Sequence, residues 1–171
     1  KNPGEVFHQL RAIQHVIKIR APITPHVDTL GLFSEGVGTT GAEAWHRAGF
    51  TGKGVKIGVL DLGFDGYKGL IGKGLPAGVT VKSFVSGVEP DQVGETHGTK
   101  CAEIVAAMAP DAELFLAYYN GRTANRPAAV DWLLSQGVQI ISHSVGAEIA
   151  PMDGTGADAR YVDTLAAKNI L

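Results

Sequence analysis

Apolar residues in this chain are arranged in two ways, as short continuous runs and as longer stretches with helical spacing. The strongest run covers residues 55–61 and is apolar at nearly every position before it ends in an acid. A strand without polar alternation is typical of a sheet that is covered on both faces. Weaker runs predict further strands over residues 79–85, 113–118 and 138–142.

A helix is predicted to begin at His97 and to end before Pro110, because proline cannot continue a helix. Its apolar residues recur at positions i, i+3, i+4 and i+7, which predicts one inward-facing stripe. The members of this stripe are Cys101, Ile104, Val105 and Met108.

Three other helices are predicted, over residues 41–48, 127–136 and 158–168. In the first, Ala42, Ala44 and Trp45 are expected to face inward, and Gly49 ends the helix. Residues 169–171 have the pattern of another strand that is only beginning. The expectation from this ending is a sheet that is incomplete at the C-terminal side.

The alternation of strands and helices predicts an α/β fold, a doubly wound parallel sheet with helices on both faces. Residues 36–171 carry this pattern, whereas residues 1–35 are mixed and are interpreted as an N-terminal extension or linker. In such sheets, functional groups gather at the carboxyl ends of the strands. Asp61, the segment before His97 and the segment 142–146 all lie at or follow such ends.

Composition and charge exclude several classes of partner. The chain has 171 residues, 44% of them hydrophobic, which is enough to bury a sizeable core. Its net charge is −2 and it has no run of Lys or Arg, so nucleic acid and anionic membrane surfaces are not expected partners. No segment approaches the roughly 18 apolar residues of a membrane span. The single cysteine excludes an internal disulfide and leaves the compartment undecided.

Two polar residues are placed where catalysis could use them. Asp61 closes the most apolar run, and a carboxylate at the edge of a low-dielectric core can orient and stabilise an imidazolium. His97 is followed by Gly98 at a helix start, which can hold an imidazole rigidly as a general base. Taken singly, Asp61 also fits a turn and His97 a surface or capping position.

Three ordered motifs resemble subtilisin-like serine peptidases. Residues 52–63, GKGVKIGVLDLG, are similar to the segment around the family's catalytic Asp. Residues 97–106, HGTKCAEIVA, followed by 109–112, APDA, resemble the helix of its catalytic His. Residues 140–146, IISHSVG, are similar to the strand that ends in the family's Ser-Leu-Gly segment. The resemblance covers residues 36–171 and implies a subtilisin-like fold.

The resemblance implies a serine endopeptidase with an Asp-His-Ser triad. Asp61 and His97 would be catalytic, and Ser144, Val145 and Gly146 would bind the substrate, a peptide or protein. It implies no required cofactor and no metal among these residues, and the sequence leaves structural calcium open because no acidic calcium loop is present. A secreted or extracytoplasmic location is favoured by the resemblance alone.

The sequence departs from the family at two points. Leu62 stands where the family usually has Ser or Thr after the catalytic Asp, which removes a hydroxyl that could fix the carboxylate. The family's Gly-Thr-Ser-x-Ala nucleophile motif and its oxyanion-hole Asn come later in the chain and are not found in these 171 residues. The chain alone is therefore expected to be inactive, and its implied partner is the remainder of the same protein, which would carry the Ser.

Alternatives remain for three of these features. Residues 36–41 match G-x-G-x-x-G, but no apolar strand precedes them, as a dinucleotide site requires. Ser144 fits a nucleophile elbow, although no His follows it in the sequence, as an α/β-hydrolase would need. An inactive subtilisin-like binding module is compatible with Leu62 and the missing Ser.

Two further interpretations concern residues near the main motifs. Cys101 is expected to be inert packing rather than a partner of His97, because it is placed on the inward stripe. Residues 16–22 resemble the tail of an inhibitory pro-segment, which predicts that an active preparation has a new N-terminus between Ser34 and Gly41.

Overall fold

The computed structural model describes residues 26–27, 35–122, 124–146 and 153–171. The predicted pro-segment tail at residues 16–22 lies outside the described residues. Within them, no helix combines the length and apolar character that crossing a membrane requires.

The described elements follow the predicted alternation of strands and helices. They are β1 (His26–Val27), α1 (Glu35–Thr39), α2 (Ala42–Arg47), β2 (Lys56–Asp61), a 3-10 turn (Tyr67–Leu70), β3 (Thr80–Ser83), α3 (His97–Met108), β4 (Glu113–Tyr118), α4 (Arg126–Ser135), β5 (Ile140–Ser142), β6 (Val145–Gly146) and α5 (Ala157–Ala166).

Four parallel strands form the main sheet, in the order β3-β4-β2-β5. Strand β2 pairs with β4 over its whole length, from Lys56 opposite Glu113 to Asp61 opposite Tyr118. Because β5 joins the other side of β2, the order of the strands reverses there. The predicted α/β fold with a parallel sheet is confirmed.

Both faces of the sheet are buried, as the continuous apolar runs predict. Alternate residues of β2 and β4 contribute to two clusters, with Val59 in the cluster beneath α3 and Leu60 in the cluster beneath α4. Gly58 lets α4 approach closely, since a Cβ there would lie 2.9 Å from the side chain of Leu133. The helices thus cover both faces.

The buried face of α3 differs from the predicted stripe. Ala102 and Ala106 are buried against the sheet, whereas Ile104 and Met108 are each 38% exposed. Small side chains allow the helix backbone to come close to the strands, so the alanine row faces inward and the larger residues lie at its margin. The prediction located the helix correctly and its inward face in part, since Cys101 and Val105 of the predicted stripe pack against the core.

The predicted inward face of the first helix, at residues 41–48, is also corrected. Ala42 is buried, but Ala44 is exposed and Trp45 is 64% exposed. The Trp45 ring packs edge-on against the exposed Phe50 ring, with centroids 5.5 Å apart. With only six residues, α2 buries one small side chain and leaves the aromatic one outside.

Two further pairings involve residues outside the four-stranded sheet. Strand β1 pairs with β6 in antiparallel orientation, and Leu171 joins the outer edge of β5. The Leu171 N–H donates to Gln139 O at 3.0 Å, and its carbonyl accepts from the Ile141 N–H at 2.7 Å. This pattern is that of a parallel bridge. Of the predicted strand at residues 169–171 only Leu171 takes part, because the Asn169 and Ile170 N–H groups donate back to the end of α5.

Candidate active site

Asp61 lies at the point where the order of the strands reverses. It is the last residue of β2, between the carboxyl ends of β4 and β5. Side chains alternate along a strand, so Asp61 shares the face of Ile57 and Val59, which is the face covered by α3. Open parallel sheets bind their ligands at such a reversal point.

His97 is brought to Asp61 by the close approach of α3 to the chain after β2. The Gly98 N–H donates to Gly63 O at 3.0 Å. A Cβ on Gly98 would lie 2.5 Å from that carbonyl oxygen and 2.7 Å from the Asp61 Cβ. Glycine is therefore required for the helix start to sit directly on the end of β2.

The two side chains form a buried hydrogen-bonded pair. His97 Nδ1 lies 2.9 Å from Asp61 Oδ2, and the residues are 4% and 0% exposed. The other carboxylate oxygen accepts from the Leu62 N–H at 2.7 Å. Burial raises the pKa of Asp61, while the Leu62 N–H and the His97 ring oppose that rise. The backbone N–H of Leu62 thus orients the carboxylate, although the side chain at position 62 has no hydroxyl that could do so.

Residues before His97 support the helix start, and sequence reasoning did not single them out. Glu95 Oε1 accepts from the His97 N–H at 2.8 Å. Asp65 accepts from the Val93 and Gly94 N–H groups at 2.9 Å each. Its carbonyl accepts from the Thr99 hydroxyl at 3.0 Å. The sequence did contain a signal for Glu95, which lies two positions before the predicted helix. Acidic side chains just before a helix often accept hydrogen bonds from its first N–H groups.

Cys101 contacts the His97 ring, contrary to the expectation that it packs away from it. Its sulfur lies 3.7 Å from both ring nitrogens. A sulfur equally distant from the two nitrogens is not aligned for a hydrogen bond with either of them. Burial, followed by the nearby Asp61 charge, raises the thiol pKa to about 11, against an opposing hydrogen bond with Ser144. The thiol stays protonated at neutral pH, so it is a poor nucleophile.

The segment Ser144–Gly146 lies beside this group of residues. Ser144 reaches Cys101, and Val145 and Gly146 form β6. In the antiparallel pair, Val145 is opposite Val27 and Gly146 is opposite His26. All three predicted substrate-binding residues are only partly buried.

A model of the subtilase family matches residues 52–170, which is more than half of the chain. The chain belongs to the subtilase family. The matched range contains the Asp61–His97 pair and the segment Ser144–Gly146.

Two curated relatives show how much of a subtilase the chain spans. Subtilisin Savinase from Lederbergia lenta is 31% identical over 125 residues, which cover 65% of this chain and 44% of that protein. An alkaline protease from Alkalihalobacillus alcalophilus is also 31% identical over 125 residues. The alignment covers 65% of this chain and 31% of that protein. The chain therefore spans less than half the length of these relatives.

Among solved structures, the patellamide maturation protease PatG is similar, with a TM-score of 0.48 and 14% sequence identity. The alignment covers 84% of this chain and 60% of that one.

Three side chains of this subtilase site have donor atoms that could in principle ligate a metal ion. Among the described residues, one ligand atom each from Asp61, His97 and Cys101 lies within 4.8 Å of the others. The Asp61 and His97 atoms that face each other already share a hydrogen bond, and the high pKa of Cys101 disfavours the thiolate that a metal needs. The arrangement suits proton transfer better than metal binding.

The glycine-rich segment at residues 36–41 has a different structure from a dinucleotide loop. Gly36 and Gly38 lie inside α1, and Gly41 follows the turn after it. A dinucleotide fingerprint needs a loop between a strand and a helix, with its backbone turned to the phosphates. The dinucleotide alternative therefore loses its structural basis in this subtilase.

Proposed function

We propose that this chain supplies the acid–base half of a serine endopeptidase. Asp61 and His97 act with a serine that the remainder of the protein carries. The observation that supports this best is the buried 2.9 Å hydrogen bond between His97 Nδ1 and Asp61 Oδ2. In a Ser-His-Asp triad, an acid bound to one imidazole nitrogen leaves the other to act as the base.

The geometry supports a distinct role for each group in the proposed reaction. Asp61 holds the proton of His97 on Nδ1, so that Nε2 takes the proton from the attacking serine hydroxyl. As the imidazolium forms, its positive charge is stabilised by the carboxylate in a site that is almost fully buried. His97 then donates the proton to the leaving amine. No step of this sequence needs a cofactor.

The proposed substrate is a peptide that extends along Ser144–Gly146. Strand β6 already accepts an extended segment in antiparallel pairing, namely His26–Val27. Backbone pairing of this kind binds peptides with little regard to sequence, and side-chain pockets add the selectivity. Its position beside Cys101 and His97 would bring a scissile peptide bond to the base.

The proposed partner is the part of the same protein that bears the nucleophile. The chain spans less than half the length of its curated relatives, which supports this proposal. A cavity of about 440 Å³ also lies beside Ile170 and Leu171. Apolar residues of α4, α5 and β5 line it together with Arg126, His143 and Asp158. A further strand and helix would bury this surface. For the whole protein, we propose an extracytoplasmic location.

A serine-directed probe tests this function. We expect no labelling of the 171-residue chain by a fluorophosphonate, because no serine in it has the required context. The chain expressed with the coding sequence that follows Leu171 should be labelled and should hydrolyse casein. A His97→Ala version of that longer protein is the matched control and should lose both signals. Labelling of a serine within residues 1–171, or an unlabelled longer protein, would contradict the proposal.

The N-terminal extension is proposed to occupy the peptide site until it is removed. His26–Val27 cover the strand that the substrate needs, so cleavage downstream of them would release it. We expect intact-mass analysis of an active preparation to show a new N-terminus between Ser34 and Gly41. Full activity with residues 1–35 still attached and uncleaved would refute this role.

A further inference from the structure

A second, part-buried polar contact lies on the opposite face of the sheet from His97. The Tyr119 hydroxyl and His143 Nε2 are 2.9 Å apart, and their rings are 5.7 Å apart. Tyr119 is 3% exposed and belongs to the cluster beneath α4. The proposed reaction uses neither side chain.

The contact spans the two strands that flank Asp61. Tyr119 directly follows β4, and His143 directly follows β5, while β2 ends between them at Asp61. Strands that are two apart in a sheet are separated by about 10 Å, so only two long side chains can bridge them. The Tyr119 N–H also donates to Asp61 O at 3.1 Å. Tyr119 is therefore bonded both to the residue that orients His97 and to the residue that precedes Ser144.

The surroundings keep both partners uncharged. Burial raises the pKa of Tyr119 to about 12. Burial and the nearby Arg126 charge lower the pKa of His143 to about 4, against the opposing charge of Asp158. Arg126 and Asp158 pair with each other across α4 and α5. At neutral pH, the tyrosine hydroxyl can thus donate to a neutral imidazole.

We propose that Tyr119 and His143 are positioning residues that hold the peptide-pairing segment Ser144–Gly146 at a constant distance from Asp61 and His97. This inference rests on the proposed function, because it assigns that segment to the substrate. Besides the bridge, the chain after β5 is held by the pairing of β6 with β1 and by the contact of Ser144 with Cys101, but neither of these ties it to β4. The bridge makes β6 a rigid template for an extended peptide.

Hydrogen exchange in the full chain tests the bridge without any need for a nucleophile. In Tyr119→Phe, we expect the backbone amides of Val145 and Gly146 to exchange about tenfold faster, which corresponds to the loss of one hydrogen bond. NMR should show a changed chemical shift of His143 Nε2, because the hydroxyl that hydrogen-bonds this nitrogen is gone. Exchange within twofold of the unmutated chain, or an unchanged Nε2 chemical shift, would overturn the inference.

Two variants separate positioning from simple packing. Tyr118→Phe removes a hydroxyl from the neighbouring buried tyrosine on the other sheet face and should leave exchange at Val145 and Gly146 unchanged. Tyr119→Phe combined with His143→Phe removes both polar partners, so the melting temperature should recover while exchange stays fast. Recovery of slow exchange in the double variant would show a packing role and would contradict positioning.

Kinetics of the complete protein give an independent readout. We expect Tyr119→Phe to raise KM for a peptide substrate about tenfold and to change kcat by less than about twofold, because the bridge acts on peptide placement. A fall in kcat with unchanged KM would count against the inference. If the complete protein has no serine-dependent activity, the proposed function fails, whereas the exchange and NMR results still decide the bridge.

Discussion

Asp61→Asn is expected to lower kcat of the complete, serine-bearing protein by about 10⁴-fold, the scale seen when the triad acid is replaced by its amide. The amide nitrogen would face His97 Nδ1, which lies 2.9 Å from Asp61 Oδ2, and would force the proton onto Nε2. The imidazole could then no longer accept the serine proton. The variant also lacks the negative charge that stabilises the imidazolium. Steady-state hydrolysis of a peptide measures the effect.

Stability measurements distinguish this loss from unfolding. Burial raises the pKa of Asp61 because the charged form is poorly solvated in the site. A neutral amide of the same shape avoids that cost, so the melting temperature of Asp61→Asn should be maintained. Asp111→Asn is the control, since Asp111 is exposed and accepts from the Thr51 hydroxyl away from the pair. If Asp61→Asn retained kcat within tenfold, the assignment of Asp61 would be wrong.

Gly98→Ala is expected to destabilise the fold by about 2 kcal/mol. The added Cβ would lie 2.5 Å from Gly63 O and 2.7 Å from both the Asp61 Cβ and Phe64 Cε1. Phe64 and Asp61 are each 0% exposed, so neither can move aside into solvent. Overpacking of this kind costs about 1 to 3 kcal/mol or more, which exceeds the gain of up to about 1 kcal/mol from replacing glycine by alanine in a helix.

Urea denaturation of the chain measures this effect through the midpoint of unfolding. Gly78→Ala is the matched control, because a Cβ there meets no atom within 4 Å, and we expect a change below about 0.5 kcal/mol. In the complete protein, Gly98→Ala should also reduce activity, since it pushes His97 away from Asp61. Equal midpoints for the two variants would show that α3 does not need the close contact with Gly63.

The strands of this protein could be predicted closely because their signal is local. The predicted strand at residues 113–118 coincides with β4, and that at 55–61 exceeds β2 by one residue. Strands buried on both faces must be apolar at almost every position, and this requirement is visible in a single run of sequence. The position of Asp61 at the end of such a run followed directly.

The orientation of α3 could not be predicted in the same way. The sequence contains both a row of large apolar residues and a row of small ones, and periodicity marks both as candidates for the inward face. The row with Ala102 and Ala106 faces the sheet because Gly98 and Gly63 bring the backbones together. That contact joins residues 35 positions apart, and no local pattern reports it.

The sequence alone determined the α/β fold, the order of its elements, and the identity of Asp61, His97 and Ser144–Gly146 as candidates. The fold and the placement of Asp61 and His97 depend on residue type and on patterns within one element, whereas Ser144–Gly146 came from the resemblance of residues 140–146 to a family motif. Tertiary structure decided how the candidates meet: the Leu62 N–H on the Asp61 carboxylate, the Cys101 sulfur against the His97 ring, the pairing of His26–Val27 with β6, and the Tyr119–His143 bridge. The last three of these contacts join residues from different elements or from different turns of a helix. The distance between such residues depends on tertiary packing, which a local sequence pattern does not encode.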